Sequence, residues 1–272
     1  MSATSYDSGS GAKQRALVTG ASSGIGLELA KQFAQNGFDL VVVAEDEGIR
    51  AAARELETTG ARVEAVQADL ATYDGVEQAY AEATRSGPLD AVAINAGVGV
   101  GGAFRANELR DELRMIDLNV TGAVHLAKRV LADMTARDEG RILFTSSIAA
   151  LMPSPFEAVY GATKSFLYSF SEALRNELKD TGITVTALLL GPTETNFFHR
   201  AGMDDTKAGQ QKKDDPADVA RQGFEALMKG KDHIVAGSLK TKAQAAVISQ
   251  MPQTVKGEVH RGLSEPQEPA KK

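Results

Sequence analysis

Two groups of residues in this chain have types and spacings that could do chemistry. The first is Thr19-Gly20-Ala21-Ser22-Ser23-Gly24-Ile25-Gly26, a glycine-rich turn that follows an apolar run and leads at once into Leu27–Gln35. Such a turn at a helix N-terminus offers unpaired N–H groups and the positive end of the helix dipole to an anion. Its glycines allow positive φ and close approach of a pyrophosphate. The second group is Tyr160 and Lys164, four apart and so on one face of a helix. A free phenol has a pKa of about 10 and is a poor base near neutral pH. A neighbouring buried ammonium favours the phenolate and makes the pair a candidate proton donor and acceptor. Each has a plainer alternative. A glycine turn can simply join a strand to a helix, and a Tyr-x3-Lys pair usually serves packing or the surface.

The elements that must position these groups alternate. Strand-type runs occur at Ala16–Thr19, Phe38–Ala44, Arg62–Ala68, Leu89–Ile94, Arg141–Thr145, Thr184–Leu190 and Asp232–Ala236. Helical stretches separate them: Leu27–Gln35, one reaching Thr59, Tyr73–Ser86, a single long one over about Glu108–Ala136, Tyr160–Lys179 and Ala217–Met228. Strands alternating with helices predict βαβ units and a parallel sheet, and nearly continuous apolar strands predict cover on both faces. Gly37 and Gly60 stand where helix C-caps are wanted, and Asp215-Pro216 opens the Ala217 helix. An eight-fold barrel would need an eighth strand, and none is legible after Gly237. Residues 1–13 read as a disordered leader without a secretory pattern. Residues 14–238 read as one domain, with a polar, aperiodic substrate loop at about 192–215. Residues 239–272 read as an extension, loosely helical through Ala243, Ala246, Val247 and Met251, and then disordered.

Composition removes several classes of function. The 272 residues carry 30 Lys plus Arg against 36 Asp plus Glu, a formal charge of −6, which argues against a nucleic-acid binder. There is no Cys, so disulfides, thiolate metal sites and a Cys nucleophile are excluded, and a reducing, cytoplasmic setting fits. His125, His199, His233 and His260 form no i, i+4 pair, and no metal site is expected. No apolar run approaches the ~18–20 residues of a membrane helix.

Taken together, these motifs resemble the short-chain dehydrogenase/reductase family, in its branch of about 250 residues, over roughly Gln14 to Ala236. Thr19–Gly26 looks like the family's cofactor turn, Asp69-Leu70 its adenine-contacting pair, and Asn95-Ala96-Gly97 its segment after the fourth strand. Asn119, in Leu118-Asn119-Val120-Thr121-Gly122, looks like a member of the catalytic set. Ser147 lies thirteen residues before Tyr160, and Tyr160-Gly161-Ala162-Thr163-Lys164 is the YxxxK motif. The resemblance implies a Rossmann-type α/β fold, a doubly wound seven-stranded parallel sheet in the order 3-2-1-4-5-6-7, and a nicotinamide cofactor. It also implies roles. Tyr160 is the general acid/base, Lys164 holds the ribose hydroxyls, Ser147 holds the substrate oxygen, and Asn119 holds a relay water. Ser146 is expected to pack or cap. Gly20, Ser22, Ser23, Gly24, Ile25 and Gly26 would hold the pyrophosphate. Glu45, Asp69 and Leu70 would hold the adenosine. Asn95, Ala96, Gly97, Gly191, Thr193 and Thr195 would hold the nicotinamide side. One departure is Leu190 before Gly191-Pro192-Thr193, where the family usually has a Pro.

The acidic run Glu45-Asp46-Glu47 after strand two, with Ser23 at the turn, favours NAD over NADP, because carboxylates accept from ribose hydroxyls and repel a 2′-phosphate. Arg50 is the one nearby residue that could reach such a phosphate. Val98, Ala149, Met152, Phe156, Phe197 and Phe198 are the expected substrate walls, which suits an uncharged alcohol or ketone of moderate size. His199 reads as an exposed loop residue. The alternatives are a ketoacyl-thioester reductase of the same fold and a non-catalytic dinucleotide-binding regulator. The family also implies pairing of the long helices into a homodimer or homotetramer, with no nucleic-acid or membrane partner.

Overall fold

The computed structural model describes residues 13–267. The expected leader, apart from position 13, lies outside the described residues, as do positions 268–272. Strands β1 (Arg15–Thr19), β2 (Asp39–Ala44), β3 (Val63–Gln67), β4 (Ala91–Ile94), β5 (Gly140–Ser147), β6 (Ile183–Leu190) and β7 (His233–Ala236) form one sheet. Their order is β3-β2-β1-β4-β5-β6-β7, and every neighbouring pair is parallel. The helices are α1 (Gly24–Gln35), α2 (Gly48–Glu57), α3 (Tyr73–Arg85), α4 (Leu109–Ile116), α5 (Ala123–Arg137), α6 (Ala158–Glu177), α7 (Phe197–Arg200), α8 (Lys207–Gln210), α9 (Pro216–Met228), α10 (Leu239–Gln250) and α11 (Gln253–Ser264). None of them is long and apolar enough to cross a membrane.

The strand sequences dictate two cores. Successive side chains leave a strand on opposite faces. Leu40, Val42 and Ala44 therefore join Phe33, Ile49 and Phe224 from α1, α2 and α9 on one side. Val41 and Val43 join Val76, Leu126 and Leu167 from α3, α5 and α6 on the other. Phe33, Phe38 and Phe224 meet edge to face, with centroids 5.1–6.4 Å apart. Burying each such ring stabilises the fold by roughly 1.5–3 kcal/mol. Gly37 and Gly60 adopt φ of +90° and +87°, the left-handed C-cap geometry expected of them. The strand order reverses between β1 and β4, and the carboxyl ends there open a crevice of the kind that takes ligands in such sheets.

Two regions depart from the sequence reading. The single helix expected over Glu108–Ala136 is interrupted by a π-helical turn, Asp117–Gly122, between α4 and α5. Gly122 packs there against the Leu70 carbonyl so closely that a Cβ would overlap it. After β7 the chain forms two helices, where one loose helix was expected. The buried residues of α10 are Thr241, Ala245 and Ile248, and Val247 is exposed. Helix α11 turns Lys256, His260 and Ser264 inward.

Candidate active site

The carboxyl ends of β1, β4 and β5 are tied by one polar network. The Thr19 hydroxyl accepts from Asn95 N (2.9 Å) and Ala96 N (3.0 Å). Asn95 Nδ2 donates to Thr19 O at 3.0 Å, and Thr145 Oγ1 donates to Asn95 Oδ1 at 3.0 Å. Against this tie sits the glycine turn. Gly20 and Gly24 take φ of +67° and +56°. A Cβ on Gly26 would overlap the Gly20 carbonyl and stand 2.6 Å from Asn95 Nδ2. Ser23, the N-cap of α1, makes no side-chain capping bond, so the first-turn N–H groups are left for another acceptor.

One cleft runs along this turn. Gly20, Ser22, Ser23, Gly24, Ile25 and Gly26 line its middle, and Glu45, Asp69 and Leu70 line one end. Asn95, Ala96, Gly97, Val98, Tyr160, Lys164 and Thr195 line the other end. A cradle with no Cβ, free helix N–H groups and a carboxylate end matches a dinucleotide's pyrophosphate and ribose. Gly191 and Thr193, expected on this cleft, line the neighbouring cavity instead. At the adenosine end Asp46 also lines the wall, accepting from Ser22 Oγ at 2.7 Å and from Gly48 N at 3.0 Å. Arg114, on α4, grips Asp69 through two nitrogens (2.7 and 2.9 Å) and reaches Glu45 at 2.6 Å. The guanidinium beside Asp69 holds its carboxyl below the usual range, with a main-chain bond from Ala71 helping.

Tyr160 and Lys164 sit one turn apart on α6, both buried. Lys164 Nζ donates to Thr145 O at 3.0 Å and lies 5.7 Å from the Tyr160 ring centroid. Burial lowers its pKa to about 8. The Tyr160 phenol is pushed up, opposite to the direction expected from its lysine neighbour. Burial is the largest cause, the Glu157 carboxylate adds to it, and the Ser147 hydroxyl pulls the other way. Ser147 Oγ accepts from Ala149 N at 3.1 Å and donates to Leu190 O at 3.4 Å. Ser146 donates to the Lys164 carbonyl at 2.8 Å, a packing role. The Asn119 side chain, where a relay water was expected, is bonded on two sides. Its Oδ1 accepts from Val98 N at 3.0 Å, and its Nδ2 donates to Val98 O (2.9 Å) and to Thr163 Oγ1 (3.1 Å). The side chain therefore clamps the segment after β4 onto α6.

A second cavity of about 140 Å³ adjoins the first, and Tyr160, Leu190, Thr195 and Phe197 belong to both walls. Ser147, Ala149, Met152 and Phe198 line it, with Ile148. Phe156 is not among its lining residues. That residue takes φ of +65°, and Arg261 lies over its ring at 5.5 Å. His199 is exposed and pairs with Asp204 at 2.7 Å.

A family model described as short chain dehydrogenase matches residues 14–206. The chain belongs to the short-chain dehydrogenase family. It is 33% identical over 214 residues to oxidoreductase UcpA of Salmonella typhimurium, which is 78% of this chain and 79% of that protein. This short-chain dehydrogenase is similar in structure to a short-chain dehydrogenase from Sphingobium yanoikuyae in complex with NADPH. The TM-score is 0.76 and the identity 30%, over 88% of this chain and 96% of that one. It is also similar to 3-ketoacyl-(acyl-carrier-protein) reductase from Brucella melitensis complexed with NADH. There the TM-score is 0.70 and the identity 29%, over 79% and 90% of the two chains.

Several site residues of this short-chain dehydrogenase escaped the sequence reading. Asp46 stood in the acidic run, but its bond to the glycine turn is tertiary. Arg114 meets Asp69 across 45 positions. Glu157, Gln244, His260, Leu263 and Ser264 line the second cavity, and four of these come from the two C-terminal helices. The only signal for Glu157 was its place three residues before Tyr160.

Proposed function

We propose that this short-chain dehydrogenase interconverts a secondary alcohol and a ketone, using a nicotinamide dinucleotide and Tyr160 as general acid/base. The observation that carries the reading is the position of Tyr160, buried in the wall shared by the dinucleotide-shaped cleft and the apolar second cavity. A bound dinucleotide supplies the hydride donor in reduction and the acceptor in oxidation. The residues do the rest. In reduction the phenol gives its proton to the carbonyl oxygen as the C–H bond forms, and in oxidation it takes the hydroxyl proton back. The upward pressure on the phenol keeps that proton available for donation. Lys164 supplies a cation beside the ring, and a positive charge nearby lowers the phenol toward working range. Ser147 is in place to donate to the substrate oxygen and stabilise charge developing there. Asn119 acts as a positioning residue for the Val98 main chain.

Glu45 and Asp46 at the adenosine end support a preference for NAD, since two carboxylates oppose a third phosphate. Arg114 is committed to Asp69 and Glu45 and is not free to hold one. The exposed apolar side chains of Leu109, Leu113 and Phe166, together with Phe104, suit pairing of two copies through α4 and α6. Sedimentation should then find a dimer or tetramer. A panel of secondary alcohols and ketones, each assayed with NAD(H) and NADP(H) by absorbance of the reduced cofactor, tests the reading. Turnover of part of the panel, faster with NAD(H), is expected. Dinucleotide binding without turnover anywhere on the panel would overturn the enzymatic reading, and a clear NADP preference would overturn the cofactor assignment.

A further inference from the structure

The second cavity has two polar groupings in its wall. Ser147 and Tyr160 form one, and its other walls, among them Ile148, Ala149, Met152, Phe197 and Leu263, are largely apolar. Glu157, three residues before Tyr160 in the chain, also lines the cavity, with a side chain only 8% exposed. Ser264 donates to Glu157 Oε2 at 2.6 Å, and His260 Nε2 lies 3.4 Å from the same oxygen. Both partners come from α11, across about a hundred residues of chain, so the C-terminal helix is built into the substrate site. The lining of the cavity contains no Lys or Arg. Burial pushes the Glu157 carboxyl up and the His260 imidazole down. His260 Nδ1 is itself buried without a partner. A carboxyl this buried favours a further hydrogen-bond donor brought into the cavity, because an unpaired polar group away from water is costly. A group that only packs would not be aimed into a cavity, and two side chains from a distant helix would not be spent on orienting it.

We propose that Glu157, positioned by Ser264 and His260, receives a hydrogen-bond-donating substituent of the substrate, a hydroxyl or a protonated amine. The inference rests on the oxidoreductase reading above and narrows it. The substrate is a ketone or secondary alcohol that carries a second donor group within the same cavity, which at about 140 Å³ is near the size that accepts a molecule such as benzene. An anionic substituent is disfavoured, because the lining offers it no Lys or Arg.

The test is calorimetric binding to the full chain saturated with oxidised dinucleotide, under which ketones bind without turnover. The ligands are cyclohexanone, 4-hydroxycyclohexanone, 4-aminocyclohexanone and 4-oxocyclohexanecarboxylate. Either donor ketone should bind about three- to tenfold tighter than cyclohexanone, as expected for one added hydrogen bond, and the carboxylate should bind weakest. A hydroxyl preference and an amine preference identify the two sources of the donor. Glu157→Gln should shrink the amine advantage more than the hydroxyl advantage, and Ser264→Ala should shrink both. If neither variant folds, the wild-type series alone decides. Equal or tighter binding of cyclohexanone, tightest binding of the carboxylate, or no measurable binding of both donor ketones would overturn the proposal. Turnover of the same ketones with reduced dinucleotide is scored separately. Its absence alongside a donor preference would sink the oxidoreductase reading and leave the donor-binding site standing, whereas turnover without a preference would do the reverse.

Discussion

The two cavities that meet at Tyr160 are built in opposite ways. The dinucleotide cleft is made from strand ends and the turns that follow them, and its geometry is fixed by main-chain constraints. The Thr19–Asn95–Thr145 network locks three strands together, and Gly26 has no room for a single methyl group. The second cavity draws on a 3₁₀ turn (Ile148–Leu151), two four-residue helices and the two C-terminal helices, held by side-chain contacts between distant segments. Asp214 illustrates this. It accepts from Thr241 Oγ1 at 2.5 Å and from Ser238 N at 3.2 Å, tying the loop before α9 to the start of α10. A cofactor shared by many enzymes calls for a fixed seat, and a substrate particular to one enzyme calls for walls that can vary, which is how loops on a rigid scaffold are used.

The sharpest way to break this division is at the shared wall. Tyr160→Phe should lower turnover by about a hundred- to ten-thousandfold, the usual contribution of a positioned acid/base, while dinucleotide affinity by fluorescence titration stays within a few-fold. Near-normal turnover would remove Tyr160 from proton transfer and detach the two cavities from one reaction. Next in size is the fixed seat. Gly26→Ala should destabilise the fold by about 1–3 kcal/mol through overpacking and weaken dinucleotide binding at least tenfold, read by chemical denaturation and titration. Unchanged affinity would show that the turn is less rigid than its contacts imply.

Smaller effects sharpen each side. The double variant Glu45→Gln with Asp46→Asn should raise kcat/KM for NADP about tenfold by removing two charges that face a 2′-phosphate. No gain would remove the two carboxylates from the choice of cofactor. On the substrate side the Glu157 carboxyl is raised from 4.5 by burial, against the opposing bond from Ser264. The folded chain therefore keeps its proton at a pH where the unfolded chain has lost it. Its contribution to stability is present below the unfolded pKa and lost as pH rises through the folded value. Glu157→Gln cannot titrate, so its Tm should rise relative to the wild type as pH rises above 4.5. A difference independent of pH would contradict burial of an ionisable group there.

The same division explains what the sequence could show. Strands were legible because apolar runs such as Phe38–Ala44 are buried on both faces, and the glycine turn because Gly20, Gly24 and Gly26 each meet a steric need. Tyr160, Lys164 and Ser147 were legible because local spacing on one helix and one strand end sets their positions. The π turn at Asp117–Gly122 was not, since one extra residue in a helix leaves the apolar period almost intact. Nor was the face of α10, because the apolar residues Ala243, Val247 and Met251 are not the buried ones, whereas Thr241, Ala245 and Ile248 are. Helix α11 buries Lys256, His260 and Ser264, a polar stripe that hydropathy assigns to solvent. Phe156 read as a wall because it is aromatic and near Ser147, but its positive φ turns it out under Arg261.

In the proposed reaction hydride passes directly between cofactor and substrate at the wall that Tyr160 shares between the two cavities. This transfer is tested most directly with reduced dinucleotide deuterated at C4 of the nicotinamide and a ketone that the protein turns over. Mass spectrometry of the alcohol should find the deuterium on the carbinol carbon, transferred from one face of the ring only. Alcohol formed without label at that carbon, or label lost to water, would contradict the account.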